Sequence, residues 1–393
     1  MALDITAVQQ ALQAERLDGW LLYDFHGSNP IAQRLAGLDT GHHMTTRRWF
    51  FLIPASGQPR ALVHAIERHN LDGLPGSKSV YAERGQLEEG LTRLLHGLSR
   101  IAMEYSAGGA IPYVSRVDAG TLEAVRGRGL EVVSSGDLVQ QFEATWSPEQ
   151  LATHRQAAEA LYRIKDRAFA AAAAALRQGA ALTEYALQQD MVRWFEEESL
   201  VSDSPPVVAI GGNAGNPHYL PGATQSRPIV ADEVLLLDLW GKCRTPGAVF
   251  ADITWVGMTS SAVPDEVARA FQAIVDARDT AVQVVSDAAR DGGELRGWEV
   301  DRAARSVLER AGFADHILHR TGHSLGENVH GNGTHLDDYE THDDRRVLPG
   351  TGFTVEPGLY FSSFGVRTEI NVFRTENDAL VTGPRQTEVI TLR

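Results

Sequence analysis

Four acidic residues stand in, or at the end of, apolar strand-like runs, where a solvated charge has little reason to be. Asp238 follows Val234-Leu235-Leu236-Leu237, and Asp252 lies within Phe250-Ala251-Asp252-Ile253-Thr254-Trp255. Glu356 ends Phe353-Thr354-Val355, and Glu369 precedes Ile370-Asn371-Val372. Burying an unpaired carboxylate is costly, so each of these needs a cation, a network of donors or a proton. Any one alone reads equally well as an edge or turn carboxylate. Four in one half of the chain point to a shared site.

Histidine placement sharpens this reading. Half of the fourteen histidines fall between His218 and His342. His323 sits in Thr321-Gly322-His323-Ser324-Leu325-Gly326, where the glycines allow close approach of backbone and metal. His319 precedes it by four residues and His330 follows by seven. Four carboxylates and one imidazole are an oxygen-rich set, suited to manganese, cobalt, iron or zinc rather than to a structural zinc cage of thiolates. Charge balance favours two divalent ions, which together could hold a hydroxide at neutral pH and clamp a reacting carbonyl.

The ordered motifs Leu-Leu-Asp-Leu at Asp238, Ala-Asp-Ile-Thr at Asp252, Thr-Gly-His-Ser-Leu-Gly at His323, Val-Glu-Pro-Gly-Leu-Tyr at Glu356 and Val-Arg-Thr-Glu-Ile-Asn at Glu369 resemble those of the creatinase, prolidase, aminopeptidase P and methionine aminopeptidase superfamily. The resemblance covers the whole second part of the chain. It implies an α+β class: a pita-bread catalytic domain over 146–393, preceded by a smaller α/β creatinase-like domain over 1–145. The first part is similar to that smaller domain through Asn29-Pro30 and Leu35-Ala36-Gly37-Leu38. Methionine aminopeptidases generally lack it, which points to the proline-directed branch.

The resemblance further implies a role for each residue. Asp238 would bind one metal, Asp252 and Glu369 would bridge both, and His323 and Glu356 would bind the other. Manganese is the first choice of ion, with cobalt, zinc and iron as alternatives. Glu356 would also orient or deprotonate the attacking water, and His330 would hydrogen-bond the substrate carbonyl. His218 would stand at the substrate rim with a catalytic part, and His319 would line a pocket for the proline ring. Tyr360 and Arg367 would sit near the metals, Arg367 pairing with a carboxylate. Two plainer readings stay open: Arg367 could neutralise its neighbour Glu369, and Tyr360 could be core packing. His335 and His342, among Asp337, Asp338, Asp343 and Asp344, read as a solvated polar loop without a role.

One departure bears on Asp238. Fourteen positions separate it from Asp252, more than the family commonly shows. The turn-like Lys242-Cys243-Arg244-Thr245-Pro246-Gly247 most simply lengthens a hairpin tip. A shift of register by one would instead turn Asp238 away from the site. Trp240 has no evident reason to follow the ligand strand.

These residues need elements to hold them. Ser147, Pro148 and Gln150 form a helix start with a capping box, and Gly179 is a stop for the alanine-rich stretch that follows. Helical patterns run over Thr183–Glu198, Val263–Ala289 and Trp298–Ala311. Strand-like runs are Pro206–Ile210, Glu233–Trp240, Ala251–Val256, Gly352–Glu356 and Arg367–Phe373. In the first part, Asp18–Phe25, Arg48–Ile53 and Ile101–Tyr105 read as strands and Gln86–Leu98 as a helix.

Composition bounds the function. The 393 residues carry a net charge of −15, which disfavours nucleic acid as a partner. One cysteine excludes an intramolecular disulfide and fits a reducing, cytoplasmic setting. No apolar run approaches the roughly 20 residues of a membrane span, and no signal peptide is evident. The expected activity is hydrolysis of Xaa-Pro dipeptides, with cleavage of longer Xaa-Pro peptides as the alternative. A same-fold lyase or hydrolase of a small metabolite, and a non-catalytic binding module, are the readings from other classes. A homodimer is the assembly the resemblance implies.

Overall fold

The computed structural model describes residues 3–38 and 44–393. The chain divides into two compact units, Met1–Glu143 and Ala144–Arg393.

The first unit is built on one mixed sheet of strands β1 (Gly19–Asp24), β2 (Trp49–Pro54), β3 (Arg60–His64), β4 (Ser77–Tyr81), β5 (Arg100–Met103) and β6 (Glu131–Ser134), in the order β4-β3-β2-β1-β5-β6. Alternation in β1 sends Trp20 and Leu22 to one face, packed with Val8 and Leu12 of the Ile5–Ala14 helix. Leu21 and Tyr23 go to the other, packed with Leu87 and Leu91 of the Arg84–Leu95 helix. Both faces are covered, so β1 reads as a continuous apolar run rather than an alternating one. Asn29 caps the Pro30–Leu35 helix by accepting from Ala32 N at 3.0 Å. Its Nδ2 donates to the fully buried Glu104 at 2.8 Å.

The second unit opens with the Pro148–Gln178 helix. Ser147 Oγ accepts from Gln150 N at 3.2 Å, and Gln150 Oε1 accepts from Ser147 N at 2.9 Å. Gly179 ends the helix in the left-handed region at φ 64°, where a side chain would be strained. The helix lies with Glu184–Glu197 against a sheet of β7 (Leu200–Val201), β8 (Val207–Ile210), β9 (Val234–Cys243), β10 (Ala251–Met258) and β17 (Ile390–Thr391). A second sheet runs β11 (Ser324–Leu325), β12 (Gly352–Val355), β15 (Ile370–Arg374) and β16 (Ala379–Val381), in that spatial order. Between β12 and β15 in the chain, β13 (Gly358–Tyr360) and β14 (Gly365–Arg367) pair as a hairpin. The helices Asp265–Asp291 and Gly297–Arg310 share a core with Phe353, Val355, Val366, Ile370 and Val372 of these strands.

Pairing of β9 with β10 decides where the acidic residues face. Leu235, Leu237 and Leu239 pack with the alanine-rich helix. Asp238 and Trp240, of opposite parity, turn to the other side of the sheet. The antiparallel register sets Asp238 across from Thr254 and Trp240 across from Asp252. Asp238 and Asp252 therefore share one face. The extra residues fall in the connection after Gly241, where Lys242 and Cys243 pair with β7 instead.

Candidate metal centre

Each acidic side chain reaches the centre from a different element. Asp238 and Asp252 come from the β9–β10 hairpin, and Glu356 from the step between β12 and β13. Glu369 comes from the step between β14 and β15, and His323 from the residue before β11. Backbone bonds fix the two steps: Glu356 N donates to Thr321 O at 2.7 Å, and Glu369 N to Thr254 O at 3.2 Å. His323 is tied to β12 twice, through its N–H to Thr354 Oγ1 at 2.9 Å and its carbonyl from Thr354 N at 2.8 Å. The approach is so close that a Cβ on Gly322 would stand 2.1 Å from Thr354 O. The close packing of these strands thus requires the glycine before His323.

One ligand atom from each of Asp252, His323 and Glu369 lies within 4.8 Å of the others, and all three residues are buried. His323 Nε2 is 3.5 Å from both Asp252 Oδ2 and Glu356 Oε1. Its Nδ1 faces Ser324 O at 3.1 Å, which requires that nitrogen to carry the proton. The Nε2 lone pair is thereby left pointing at the carboxylates, as a metal-binding imidazole requires.

Charge here is out of balance. Asp238, Asp252, Glu356 and Glu369 meet two buried guanidiniums, that of Arg367, which binds Asp238 through Nη2, and that of Arg320, whose charge reaches Glu356. Burial, with Asp238 and Glu356 close by, pushes Asp252 well above the usual carboxylate range. Burial, with Asp252, Glu356 and Asp238, does the same to Glu369. Burial also lowers His323 and so favours its neutral form. Asp252 Oδ1 is buried without a hydrogen-bond partner. An unpartnered carboxylate oxygen, surplus negative charge and a neutral imidazole are what a divalent cation would satisfy, so the donor set fits one.

A hydrogen-bonded chain borders the carboxylates. Arg367 Nη1 donates to the Tyr360 hydroxyl at 2.8 Å, and Arg367 Nε to Thr254 Oγ1 at 3.1 Å. His319 Nδ1 faces Arg320 O at 2.7 Å and must be the donor, so its Nε2 accepts from the Tyr360 hydroxyl at 2.6 Å. Arg367 thus forms its ion pair with Asp238 and bonds Tyr360, while its charge also reaches Glu369. Tyr360 is buried but its hydroxyl belongs to this chain. His330 sets its ring edge-on against His323, with centroids 4.3 Å apart, and is otherwise exposed. His218 is exposed, within electrostatic reach of His330.

Three residues at the centre carry no role in the sequence reading. Thr254 Oγ1 donates to Glu369 Oε2 at 2.7 Å. Thr354 Oγ1 donates to Glu356 Oε1 at 3.2 Å. Asn371 Oδ1 accepts from Asp252 N at 2.9 Å. Each stands within a quoted motif or next to a predicted ligand, and that was the available signal.

The polar loop after His330 differs from expectation. His335, Asp337 and Asp343 are fully buried, Asp338 is partly buried, and His342 and Asp344 are exposed. Asp343 accepts from Arg345 Nε and Nη2 at 2.9 and 2.6 Å, and Asp337 accepts from three backbone N–H groups and the Thr341 hydroxyl. His335 Nδ1 accepts from Ser324 N at 3.0 Å, next to His323. Paired in this way, these polar groups tolerate burial.

Residues 155–382 match metallopeptidase family M24. The Xaa-Pro dipeptidase of Lactobacillus helveticus is 29% identical over 205 residues, 52% of this chain and 51% of that protein. The chain spans between 42 and 64% of the length of the curated relatives it matches. Among solved structures, dipeptidase PepE from Mycobacterium ulcerans superposes with a TM-score of 0.70 at 23% identity, over 99% of this chain and 96% of that one. A prolidase from Thermococcus sibiricus does so with a TM-score of 0.63 at 19% identity over the full length of both. At such identity the likeness is one of fold.

Proposed function

The chain belongs to metallopeptidase family M24, and from that premise we propose that it hydrolyses the peptide bond preceding proline in Xaa-Pro dipeptides. The observation that carries this reading is the buried meeting of Asp252, His323 and Glu369 within 4.8 Å, where Asp252 Oδ1 lacks a donor. Asp238 and Glu356 complete a set for two divalent ions, manganese first. Such ions polarise an amide carbonyl and make water a nucleophile at neutral pH.

The chain's own groups supply the rest. Glu356, steadied by Thr354, is placed to take a proton from the attacking water. His330, open to solvent on one side, donates to the carbonyl oxygen as charge develops there. Arg367 holds Asp238 and Tyr360 in fixed orientation. Both nitrogens of His319 are engaged, so the ring offers carbon edges to a pyrrolidine rather than a proton to the reaction. His218 lies at the rim where a substrate enters. A proline amide has no N–H, so a site that relies on the carbonyl and the ring suits it. Support for dipeptides over longer peptides comes from the Lactobacillus helveticus relative.

Hydrolysis of Ala-Pro and of Ala-Pro-Ala, each with added manganese, tests the reading. Release of proline from the dipeptide alone is expected. Cleavage of the tripeptide at a comparable rate would make the enzyme an Xaa-Pro aminopeptidase, and cleavage of neither would end the peptidase reading.

A further inference from the structure

Trp240 is placed beside the metal centre by the strand register and has no part in the chemistry above. It stands directly across the ladder from Asp252 and two residues from Asp238 on the same face. Side chains directly opposed in an antiparallel pair start about 5 Å apart. The indole therefore rises next to the carboxylates. It also packs against Leu236, Val207, Ala209 and Ala214.

A gap in the outer edge of β9 brings it a partner. β8 pairs with Leu235–Asp238, and β7 pairs with Lys242 and Cys243. Residues 202–206, which join β7 to β8, must therefore pass the unpaired stretch of β9 that carries Trp240. This segment holds Asp203, whose Oδ1 accepts from Trp240 Nε1 at 2.7 Å. The Asp203 carboxylate is exposed, and its charge reaches Asp252. Among the described residues, no cation lies within ion-pairing distance of Asp203. The nearby Lys242 gives its Nζ to Glu327 O. An exposed carboxylate oriented by an indole, on the lip of a centre already in negative surplus, lacks a positive partner.

We propose that Asp203, held by Trp240, binds a cationic group on the substrate residue that precedes the scissile bond. The carboxylate supplies the charge and the indole a flat wall on which an ammonium or guanidinium rests. This deepens the Xaa-Pro reading and rests on it. The cation has two sources, the α-ammonium or a Lys or Arg side chain.

The test compares Ala-Pro, Lys-Pro, Arg-Pro and N-propionylproline, which lacks the α-ammonium, with the wild type and Asp203→Asn. The substitution is nearly isosteric at an exposed site. A rise in KM of about five- to tenfold confined to Lys-Pro and Arg-Pro identifies the side chain. The same rise for all three amines, with N-propionylproline unchanged, identifies the α-ammonium. No change, or equal change in all four, overturns the proposal. Trp240→Phe, which removes the orienting N–H, is expected to reproduce the pattern in part. Calorimetric binding of lysinamide and alaninamide to the manganese-loaded protein separates this idea from the peptidase reading. Weaker binding to Asp203→Asn sustains the proposal even without dipeptide cleavage, and equal binding to both proteins overturns it.

Discussion

Thr254 and Glu369 are joined by a fully buried hydrogen bond of 2.7 Å, in which the hydroxyl donates to Oε2 of the carboxylate. The same oxygen of Thr254 accepts from Arg367 Nε at 3.1 Å. One side chain on the β9–β10 hairpin thus fixes a carboxylate and a guanidinium that arrive from the far end of the sequence. Thr254→Val keeps the shape and removes the donor. It is expected to weaken metal binding by about 10- to 100-fold and to cost roughly 1–3 kcal/mol of stability. Calorimetric metal titration and urea unfolding measure the two, and Thr254→Ser should restore most of both.

The buried pair of Arg367 and Asp238 yields a second expectation. Removing the guanidinium leaves Asp238 uncompensated, so Arg367→Met should destabilise the metal-free protein by roughly 3–5 kcal/mol. Adding Asp238→Asn to that variant should recover a large part of the loss. A double-mutant cycle in denaturant reads the coupling, and additive effects of the two changes would show that the pair is not coupled.

Stability of the metal-free protein should depend on pH in a defined direction. Asp252 and Glu369 have their folded-state pKa raised well above the ordinary value by burial and mutual repulsion. The folded state then binds more protons than the unfolded state between the unfolded and folded values, so stability falls as pH rises through that window. Relative to the metal-free wild type, metal-free Asp252→Asn should gain stability as pH rises above the ordinary carboxylate range. The gain should shrink toward the acid end. Thermal unfolding across that window checks it, and a pH-independent difference would contradict the electrostatic account.

Much of this architecture is legible in the amino-acid sequence. Ser147, Pro148 and Gln150 define a helix start by local chemistry alone, and the helix begins where they place it. Strands β9, β10, β12 and β15 fall within a few residues of their apolar runs, because burial on both sides leaves little room for polar interruption. Long-range pairing was not legible. Arg367 reads beside Glu369 in sequence, yet its ion pair is with Asp238, 129 positions away. His335, Asp337 and Asp343 look solvated because their density of polar atoms is high, and their burial depends on Arg345, Ser324 and backbone donors. The register of β9 on β10 was open in the same way. Only the paired strands show that a longer connection leaves Asp238 and Asp252 on one face.

On this account Asp238, Asp252, His323, Glu356 and Glu369 hold divalent cations. Elemental analysis of the purified protein after manganese loading and desalting tests it most directly, run beside Asp252→Ala. Close to two manganese ions per wild-type chain are expected, with the variant losing both metal and hydrolytic activity. A wild type that retains no manganese, or an Asp252→Ala variant that retains as much as the wild type, would contradict it.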